Sequence, residues 1–427
     1  MSGNVPMSNP ELMLACHQPF GLARGACIVL SSGRVLACSG AAMGYSDDGG
    51  ITWCEFYEGR HADGSLPKPI NMVELADGVI GAVEIRVPKI PGVQSPHENQ
   101  MMMMRSEDLG KTWSDGVPMT NAGRRAYSFQ NALLRISSGR LIMPVYAMYG
   151  WGKLPHDQRI ITGGYIDGEW EPTGAHCHEA NIGICYVLYS DDNGDTWQPS
   201  QGEQVIYTDD GAFHGVYEPS VAEVEPGTLL MFMRNLLGRI HESWSYDHGV
   251  TWSPPQPTQL AASHSPPVLK KLPVSNHLLC VWNQASGEEM RQGYFRTRLS
   301  AAVSRNGGGL WEFFQNVESI HETRRVEPGP IEVTRPLGQF NIHPGKKAYV
   351  NDPQYVVDLA ENFGIWANHS ACVLDDRVLI LYGNQCKVLP LKWFYRGRDP
   401  EAPTPLLQKL MYGRKPAPQV SDDTEHK

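Results

Sequence analysis

The sequence has 427 residues, a formal net charge of -10 at pH 7 and a pI near 5.8. This charge argues against nucleic acid as the main partner, because binding to phosphates needs a basic surface. A few arginines that converge in one pocket can still bind an anionic small ligand. The 43 Gly, 32 Pro, 17 Tyr, 11 Trp and 11 Phe favour many short strands and turns over long helices.

The sequence shows no targeting segment. No basic stretch followed by an apolar one opens the chain, and no run of about 18 apolar residues occurs, so neither a secretory signal nor a membrane helix is expected. The nine Cys lie between Cys16 and Cys386 without C-x-x-C spacing, which favours reduced thiols buried in strands. These features predict a cytoplasmic protein with no membrane partner, and they leave a homo-oligomer open.

An eight-residue motif, S-x-D-x-G-x-x-W, recurs along the chain. Its copies cover residues 46–53, 106–113, 190–197, 245–252 and 304–311. In the fifth copy Asn306 stands in place of the Asp. The Asp can accept backbone N–H bonds and close a turn, the Gly adopts a positive φ, and the Trp packs as an apolar plug. The regular recurrence indicates repeated supersecondary units.

A second repeat consists of two apolar runs around a turn. It occurs at residues 28–37, 73–83, 133–145, 221–231, 268–281 and 371–381. Each copy is typical of a β-hairpin, and the first five are each followed by one copy of the motif. Six such units of about four strands predict an all-β fold, a six-bladed β-propeller.

The repeat also defines the predicted domain boundaries. A single propeller is expected over residues 19–398, after an N-terminal extension, 1–18, and before a partly disordered C-terminal tail, 399–427. Two polar stretches, at about 148–180 and 318–363, do not follow the repeat. They are predicted to be inserted loops that carry specificity.

The five motifs resemble the Asp-boxes, or BNR repeats, of the sialidase (neuraminidase) superfamily. The resemblance covers roughly residues 20–385 and implies a sialidase-like propeller with its Asp-boxes on the periphery, away from the active site. Asp-boxes also occur in propellers that are not sialidases. The activity therefore has to be inferred from site residues.

The resemblance implies a set of residues that bind a substrate carboxylate. In sialidases three arginines from different blades hold this group. Arg24 precedes the first hairpin, Arg234 follows the fourth hairpin, and Arg296, with Arg298 as its alternative, precedes the fifth motif. Glu218 opens the segment that leads to Arg234, and in the family this Glu polarises a nucleophilic tyrosine.

The nucleophilic tyrosine of sialidases is not found in register. The corresponding position, before the last hairpin, is Asn368 or His369. His369 is a candidate general base, and Tyr349, in the second insertion, is the candidate for a displaced nucleophile. Asp63 is the candidate acid/base residue by its place in an early loop.

The remaining histidines carry weaker signals. His214 precedes Glu218 closely enough to reach the same pocket. His176 and His178, with Cys177 between them, are interpreted as a plain loop, because neighbouring strand residues point to opposite faces. No phosphate-binding Gly-rich loop is present. We therefore expect neither a metal nor a cofactor.

Three functions fit these residues. The leading hypothesis is an exo-acting glycoside hydrolase that acts on a terminal acidic sugar, such as a sialic acid. The second is a uronic-acid lyase, in which arginines neutralise the carboxylate and His369 or His214 abstracts the α-proton. The third is a non-catalytic sugar-binding propeller, which the missing tyrosine favours and the retention of Glu218 with three arginines opposes. The expected partner in each case is an acidic sugar or oligosaccharide.

Overall fold

The computed structural model describes most of the chain. The described residues are 15–17, 25–76, 78–86, 100–120, 126–129, 131–149, 163–166, 169–172, 182–207, 213–274, 276–291, 294–331, 347–348, 357–358, 366, 368–383 and 385–402. Within them, no helix is long and apolar enough to cross a membrane.

The described residues form short strands and two short helices. The first half of the chain holds β1 (Ala15–His17), β2 (Cys27–Val29), β3 (Val35–Ser39), β4 (Ala42–Ser46), β5 (Cys54–Glu58), β6 (Arg60–His61), β7 (Asn71–Ala76), β8 (Val79–Arg86), β9 (Gln100–Ser106), β10 (Thr112–Trp113), β11 (Val117–Pro118), β12 (Leu134–Arg135), β13 (Leu141–Tyr149), β14 (Gly163–Ile166), β15 (Glu169–Pro172), β16 (Ile182–Ser190) and β17 (Gln198–Pro199). The second half holds β18 (Ile206–Tyr207), β19 (Phe213–His214), β20 (Tyr217–Glu225), β21 (Thr228–Arg234), β22 (Arg239–Ser245), β23 (Gln256–Ala261), β24 (Val268–Lys271), β25 (Leu278–Asn283), α1 (Gly287–Arg291), β26 (Arg298–Ser304), β27 (Glu312–Ser319), β28 (Lys347–Ala348), β29 (Val357–Asp358), β30 (Ser370–Val373), β31 (Arg377–Tyr382), β32 (Gln385–Pro390) and α2 (Leu391–Phe394).

Four-stranded antiparallel sheets form the six blades of a propeller, as predicted. In chain order the blades are β2–β3–β4–β5, β7–β8–β9–β11, β12–β13–β16–β17, β20–β21–β22–β23, β24–β25–β26–β27 and β30–β31–β32–β1. The first strands of blades 1 and 2, of blades 4 and 5, and of blades 5 and 6 contact one another, and β13 of blade 3 contacts β20 of blade 4. Blades 2 and 3 share an apolar cluster, and β2 contacts β30, which closes the ring. The apolar core lies in layers between adjacent blades, because each sheet buries both of its faces against its neighbours.

The motif copies form equivalent turns between the third and fourth strands of blades 1 to 5. In the first copy, Ser46 Oγ donates to Asp48 Oδ1 (2.8 Å) and accepts from Gly50 N (2.8 Å), and Thr52 N donates to Asp48 Oδ1 (2.8 Å). The same three bonds recur in the other copies. The prediction of equivalent turns with a common hydrogen-bond pattern is confirmed.

Blade 6 is built from both ends of the chain. β1 pairs antiparallel with β32, with Ala15 opposite Val388 and His17 opposite Cys386. The predicted extension, 1–18, therefore contributes the fourth strand of a blade. A strand that comes from the other end of the chain needs no turn after the third strand, and this explains why the sixth hairpin is not followed by a motif.

Both predicted insertions start from the same face of the propeller. The first follows the end of β13 and includes the hairpin of β14 and β15, and the second follows β27, which ends at Ser319, and includes the pair of β28 and β29. In an antiparallel blade, the beginning of the first strand and the ends of the second and fourth strands meet at the same edge. Glu218, Arg234 and His369 lie at this edge too, since they begin β20, end β21 and precede β30.

Candidate active site

Glu218 lies at the beginning of the first strand of blade 4 in an unusual backbone conformation. Its φ is 45°, and the pairing of β20 with β21 shifts register between Tyr217 and Ser220. The next residue, Pro219, favours an extended conformation in the residue before it. A positive φ in a residue other than glycine costs about 1–3 kcal/mol and is typical of sites where the surrounding structure imposes a functional geometry.

The Glu218 carboxylate is paired with Arg234. Arg234 Nη1 donates to Glu218 Oε2, and both side chains are buried. Arg234 Nη2 lies 3.0 Å from His264 Nδ1. Because a guanidinium has only donors, Nδ1 has to accept this bond, so His264 is a neutral imidazole with its proton on Nε2.

Arg296 reaches the same histidine from blade 5. Its Nη2 donates to the backbone oxygen of His264 at 3.4 Å. The structure therefore brings two of the three predicted arginines, from different blades, against one residue. We call Glu218, Arg234, His264 and Arg296 the Glu218 cluster.

The position of His264 is fixed by its neighbours in the linker between blades 4 and 5. Ser265 Oγ donates to Asn283 Oδ1 (2.6 Å), and Asn283 Nδ2 donates to the backbone oxygen of Trp366 (3.1 Å). This chain of bonds ties the linker to the segment that leads into blade 6. The ring of Tyr217 meets the His264 ring edge-to-face, with centroids 6.1 Å apart.

Two glycines create the space that Tyr217 occupies. A Cβ atom at Gly183 would lie 2.2 Å from the Tyr217 ring, and one at Gly215 would lie 2.0 Å from its hydroxyl oxygen. Only glycine fits at such distances, so both positions are required by the packing of this ring. The aromatic wall beside the Glu218 cluster is thus fixed by backbone on both sides.

His369 is one of the two residues, with Asn368, that the sequence places where a sialidase would have its tyrosine. It is fully buried, and burial lowers its pKa to about 4, with the nearby positive charge of Arg296 acting in the same direction and a hydrogen bond to the Val281 oxygen opposing it. His369 Nε2 lies 2.9 Å from that oxygen and has to donate to it, while Nδ1 has no hydrogen-bond partner among the described residues. His369 is therefore a neutral imidazole close to Arg296.

Arg298 has a different environment from Arg296. Its guanidinium is 1% exposed and forms two hydrogen bonds with Glu289 in α1, at 2.7 and 2.9 Å. It also donates to the backbone oxygens of Gln284 and Thr323. These bonds use all three guanidinium nitrogens, so Arg298 holds α1 against blade 5. Of the two alternatives, only Arg296 contacts His264.

Asp63 lies beside a separate cavity. The cavity has a volume of about 490 Å³ and is lined by Asp63, His61, Glu84 and Arg86, among others. The carboxylate is exposed, and hydrogen bonds from Ser65 lower its pKa. Among the described residues, its hydrogen bonds are to Ser65 and none is to the Glu218 cluster.

Several predicted residues lie outside the described part of the chain. These are Arg24, Tyr349, His176 and His178, and of His214 only the backbone, in β19, is described. The residue after Arg24 is described: Ser370 Oγ, one residue from His369, donates to the Gly25 oxygen at 3.4 Å. Within the described residues, no three His, Cys, Asp or Glu side chains are grouped so that they could hold a metal ion.

Sequence reasoning missed His264 and Tyr217. The available signal was position: Arg24, Glu218 and His369 all precede or begin the first strand of a blade, and His264 stands at the same place ahead of β24. A search of every linker at this point would have selected His264. Tyr217 could have been selected as the neighbour of Glu218.

The comparisons with known proteins agree with this architecture. Residues 87–327, more than half of the chain, match the family model described as a BNR repeat-like domain. The chain is thus a six-bladed propeller with a polar site on the face where the first strands of the blades begin. It belongs to the BNR repeat-like domain family. No curated protein matches it.

Solved sialidase structures share its fold at low sequence identity. A Hadza microbial sialidase, Hz136, superposes with a TM-score of 0.53 at 15% identity, over 90% of this chain and 67% of that one. A Trypanosoma rangeli sialidase mutant with trans-sialidase activity gives 0.52 at 13% identity, over 88% of this chain and 55% of that one. A protein of unknown function from Dyadobacter fermentans gives 0.51 at 16% identity, over 89% and 97%. This chain thus spans little more than half of the Trypanosoma rangeli chain, and the likeness shows the fold alone.

Proposed function

We propose that the protein is a carbohydrate-active enzyme that hydrolyses the glycosidic bond of a terminal acidic sugar, such as a sialic acid. The observation that carries the proposal is the Glu218 cluster, in which a strained, buried glutamate is paired with Arg234, and Arg234 and Arg296 from different blades both bind one histidine. Arginines bind a carboxylate through paired hydrogen bonds, which orient the sugar as well as hold it. The sialidase folds of the similar structures support the same substrate class.

Each residue of the proposal has a defined role. Arg234 and Arg296, with Arg24, bind the carboxylate of the sugar. Glu218 takes the proton of the attacking water, directly or by orienting a histidine, while an acid donates a proton to the leaving oxygen. Asp63 is the candidate acid from the sequence, but its position beside a separate cavity and its lowered pKa oppose this role. Tyr349 is the residue that would restore a tyrosine nucleophile as in sialidases.

A lyase acting on a uronic acid is the second candidate. It is favoured by the neutral imidazole of His369, whose Nδ1 has no hydrogen-bond partner among the described residues and whose pKa is lowered by burial and by the charge of Arg296. In this reaction the arginines neutralise the carboxylate, a histidine takes the α-proton, and the bond to the leaving oxygen breaks as a double bond forms. His214 is the alternative base.

The test is a screen of the purified protein on sialosides and uronides, with reducing sugar and the ultraviolet absorbance of new double bonds both recorded. Hydrolysis yields only the first signal, and elimination yields both. Turnover of neither class, with an acidic sugar still bound, would identify a non-catalytic sugar-binding propeller.

The role of Glu218 is tested with the Glu218→Gln variant, which keeps the shape of the side chain and removes its charge. We expect turnover to fall about 100-fold or more, as for loss of a general base, while binding of the acidic sugar is largely retained. Glu223→Gln is the matched control, since Glu223 lies on the same strand and binds Ser137 on the opposite edge. Full turnover by Glu218→Gln would show that Glu218 is structural.

A further inference from the structure

A groove on the outer rim of the propeller, between blades 4 and 5, combines aromatic and polar side chains. It has a volume of about 190 Å³ and is lined by Glu242, Trp244, Thr258, Trp311, Phe314 and Arg325. We call it the rim groove. This volume is small beside the roughly 300–1,000 Å³ of typical ligand pockets, and it suits one sugar ring better than an oligosaccharide.

The internal repeat shows that blade 4 departs from the other blades at this groove. The residue that follows the Ser of each motif is Asp47, Glu107, Asp191 or Arg305 in the other blades and Tyr246 in blade 4. In blades 1 and 3 an arginine pairs with this acid and covers the aromatic ring that precedes the Ser. In blade 4 the ring is Trp244, and Tyr246 stacks on it with centroids 6.4 Å apart and planes at 10°.

A second departure lies three residues before the same Ser. The other blades have Met43, Met103, Val187 and Ala301 there, all buried apolar residues. Blade 4 has Glu242, whose Oε1 accepts a hydrogen bond from Trp244 Nε1 at 3.3 Å. A carboxyl group at a position that is apolar in the other blades loses part of its hydration, which costs free energy. Burial accordingly raises the pKa of Glu242.

Tyr246 is also 74% exposed, the most exposed large hydrophobic side chain of the described residues. We propose that the rim groove is a second carbohydrate-binding site, which binds a single neutral pyranose ring. Trp244 lines the groove and Tyr246 stacks on it just outside the lining, so the pair offers an aromatic surface for the apolar face of the ring. Glu242 and Arg325 provide an acceptor and donors for its hydroxyl groups.

The charges around the groove select a neutral sugar over an acidic one. Arg325 is paired with Glu327 at 2.8 Å and lies over the Phe314 ring, and Glu242 would repel a second carboxylate. The site thus differs in specificity from the Glu218 cluster. It lies on the outer strands, so it would hold a neutral part of a glycan while the central site acts, or independently of it.

The experiment is saturation-transfer NMR of the intact protein with lactose, N-acetyllactosamine, maltose and cellobiose. We expect transfer to at least one saccharide, with binding about fivefold weaker in Tyr246→Ala, as for loss of one aromatic contact, and weaker also in Glu242→Gln. Glu107→Ala, at the same motif position of blade 2, is the matched control. Arg296→Met, which removes a carboxylate-binding arginine from the Glu218 cluster, separates the two sites. Both variants should bind the saccharides as the unmodified protein does. Absence of transfer to all four saccharides, transfer that survives both groove variants, or transfer lost in Arg296→Met would overturn the proposal, and none of these depends on whether the Glu218 cluster hydrolyses acidic sugars.

Discussion

At the scale of single residues, two arginines that are two positions apart in the sequence have opposite roles in the structure. Arg296 is partly exposed and contacts His264, whereas Arg298 is buried and bound to Glu289. Residues two apart in an extended strand point to the same face. Arg296 lies before the start of β26, so its side chain can point in a different direction from that of Arg298. Spacing alone could therefore not choose between them.

Replacing each arginine by methionine should separate stability from binding. Arg298→Met removes the guanidinium that binds both carboxylate oxygens of Glu289, and it should lower the free energy of unfolding by about 3 kcal/mol. Arg296→Met should change it by less than about 1 kcal/mol, as for most partly exposed positions, and should weaken binding of N-acetylneuraminate or glucuronate. Urea unfolding and calorimetric titration measure the two effects. Equal stability of the two variants would contradict these roles.

The site residues were predictable only in part. Glu218 and Arg234 follow from their order around one hairpin, and the structure pairs them. His264 was not predictable from its own segment, because nothing in a Ser-His-Ser-Pro-Pro linker marks a residue that receives an arginine from each of two blades. Such residues are defined by the meeting of distant segments, which a single sequence does not encode locally.

At the scale of the structural element, the motif is a turn whose stability comes from one carboxylate. In the third copy, Asp192 accepts bonds from Ser190 Oγ, Thr196 N and Thr196 Oγ1, and bonds from Thr196 are the largest contribution that lowers its pKa to about 2. The fifth copy has Asn306, which among the described residues accepts from Ser304 Oγ and Leu310 N alone, since Leu310 has no hydroxyl.

This difference predicts unequal costs for the same change. Asp192→Ala should lower the free energy of unfolding by about 1–3 kcal/mol, because a Ser hydroxyl, a backbone N–H and a Thr hydroxyl lose their acceptor. Asn306→Ala should cost less, as it removes one hydrogen bond fewer and no charged acceptor. Thermal and urea unfolding of the two variants provide the comparison. A larger cost for Asn306→Ala would argue that the turn is held by packing of its Trp and not by the side-chain acceptor.

At the scale of the whole molecule, the number of blades was predictable and the closure of the ring was not. Six hairpins and five motifs predict six blades, because each repeat has its own local signal. β1 is three residues long and belongs to no repeat, and its partner, β32, lies about 370 residues further along the chain. Three residues are too few to show a strand pattern, and β1 forms because it can pair with the exposed edge of β32. For this reason the sequence pattern assigned these residues to an N-terminal extension.

Removal of β1 should therefore weaken the molecule as a whole. Deletion of residues 1–17 leaves the edge of β32 without its antiparallel partner, and the loss of about two backbone hydrogen bonds at roughly 1 kcal/mol each should lower the free energy of unfolding by about 2 kcal/mol. An open strand edge also favours association between molecules. Deletion of residues 1–14 is the matched control, because it retains Ala15–His17. Urea unfolding and light scattering of both variants test the closure, and the idea fails if the two deletions unfold at the same urea concentration, because β1 would then add nothing to the stability of the ring.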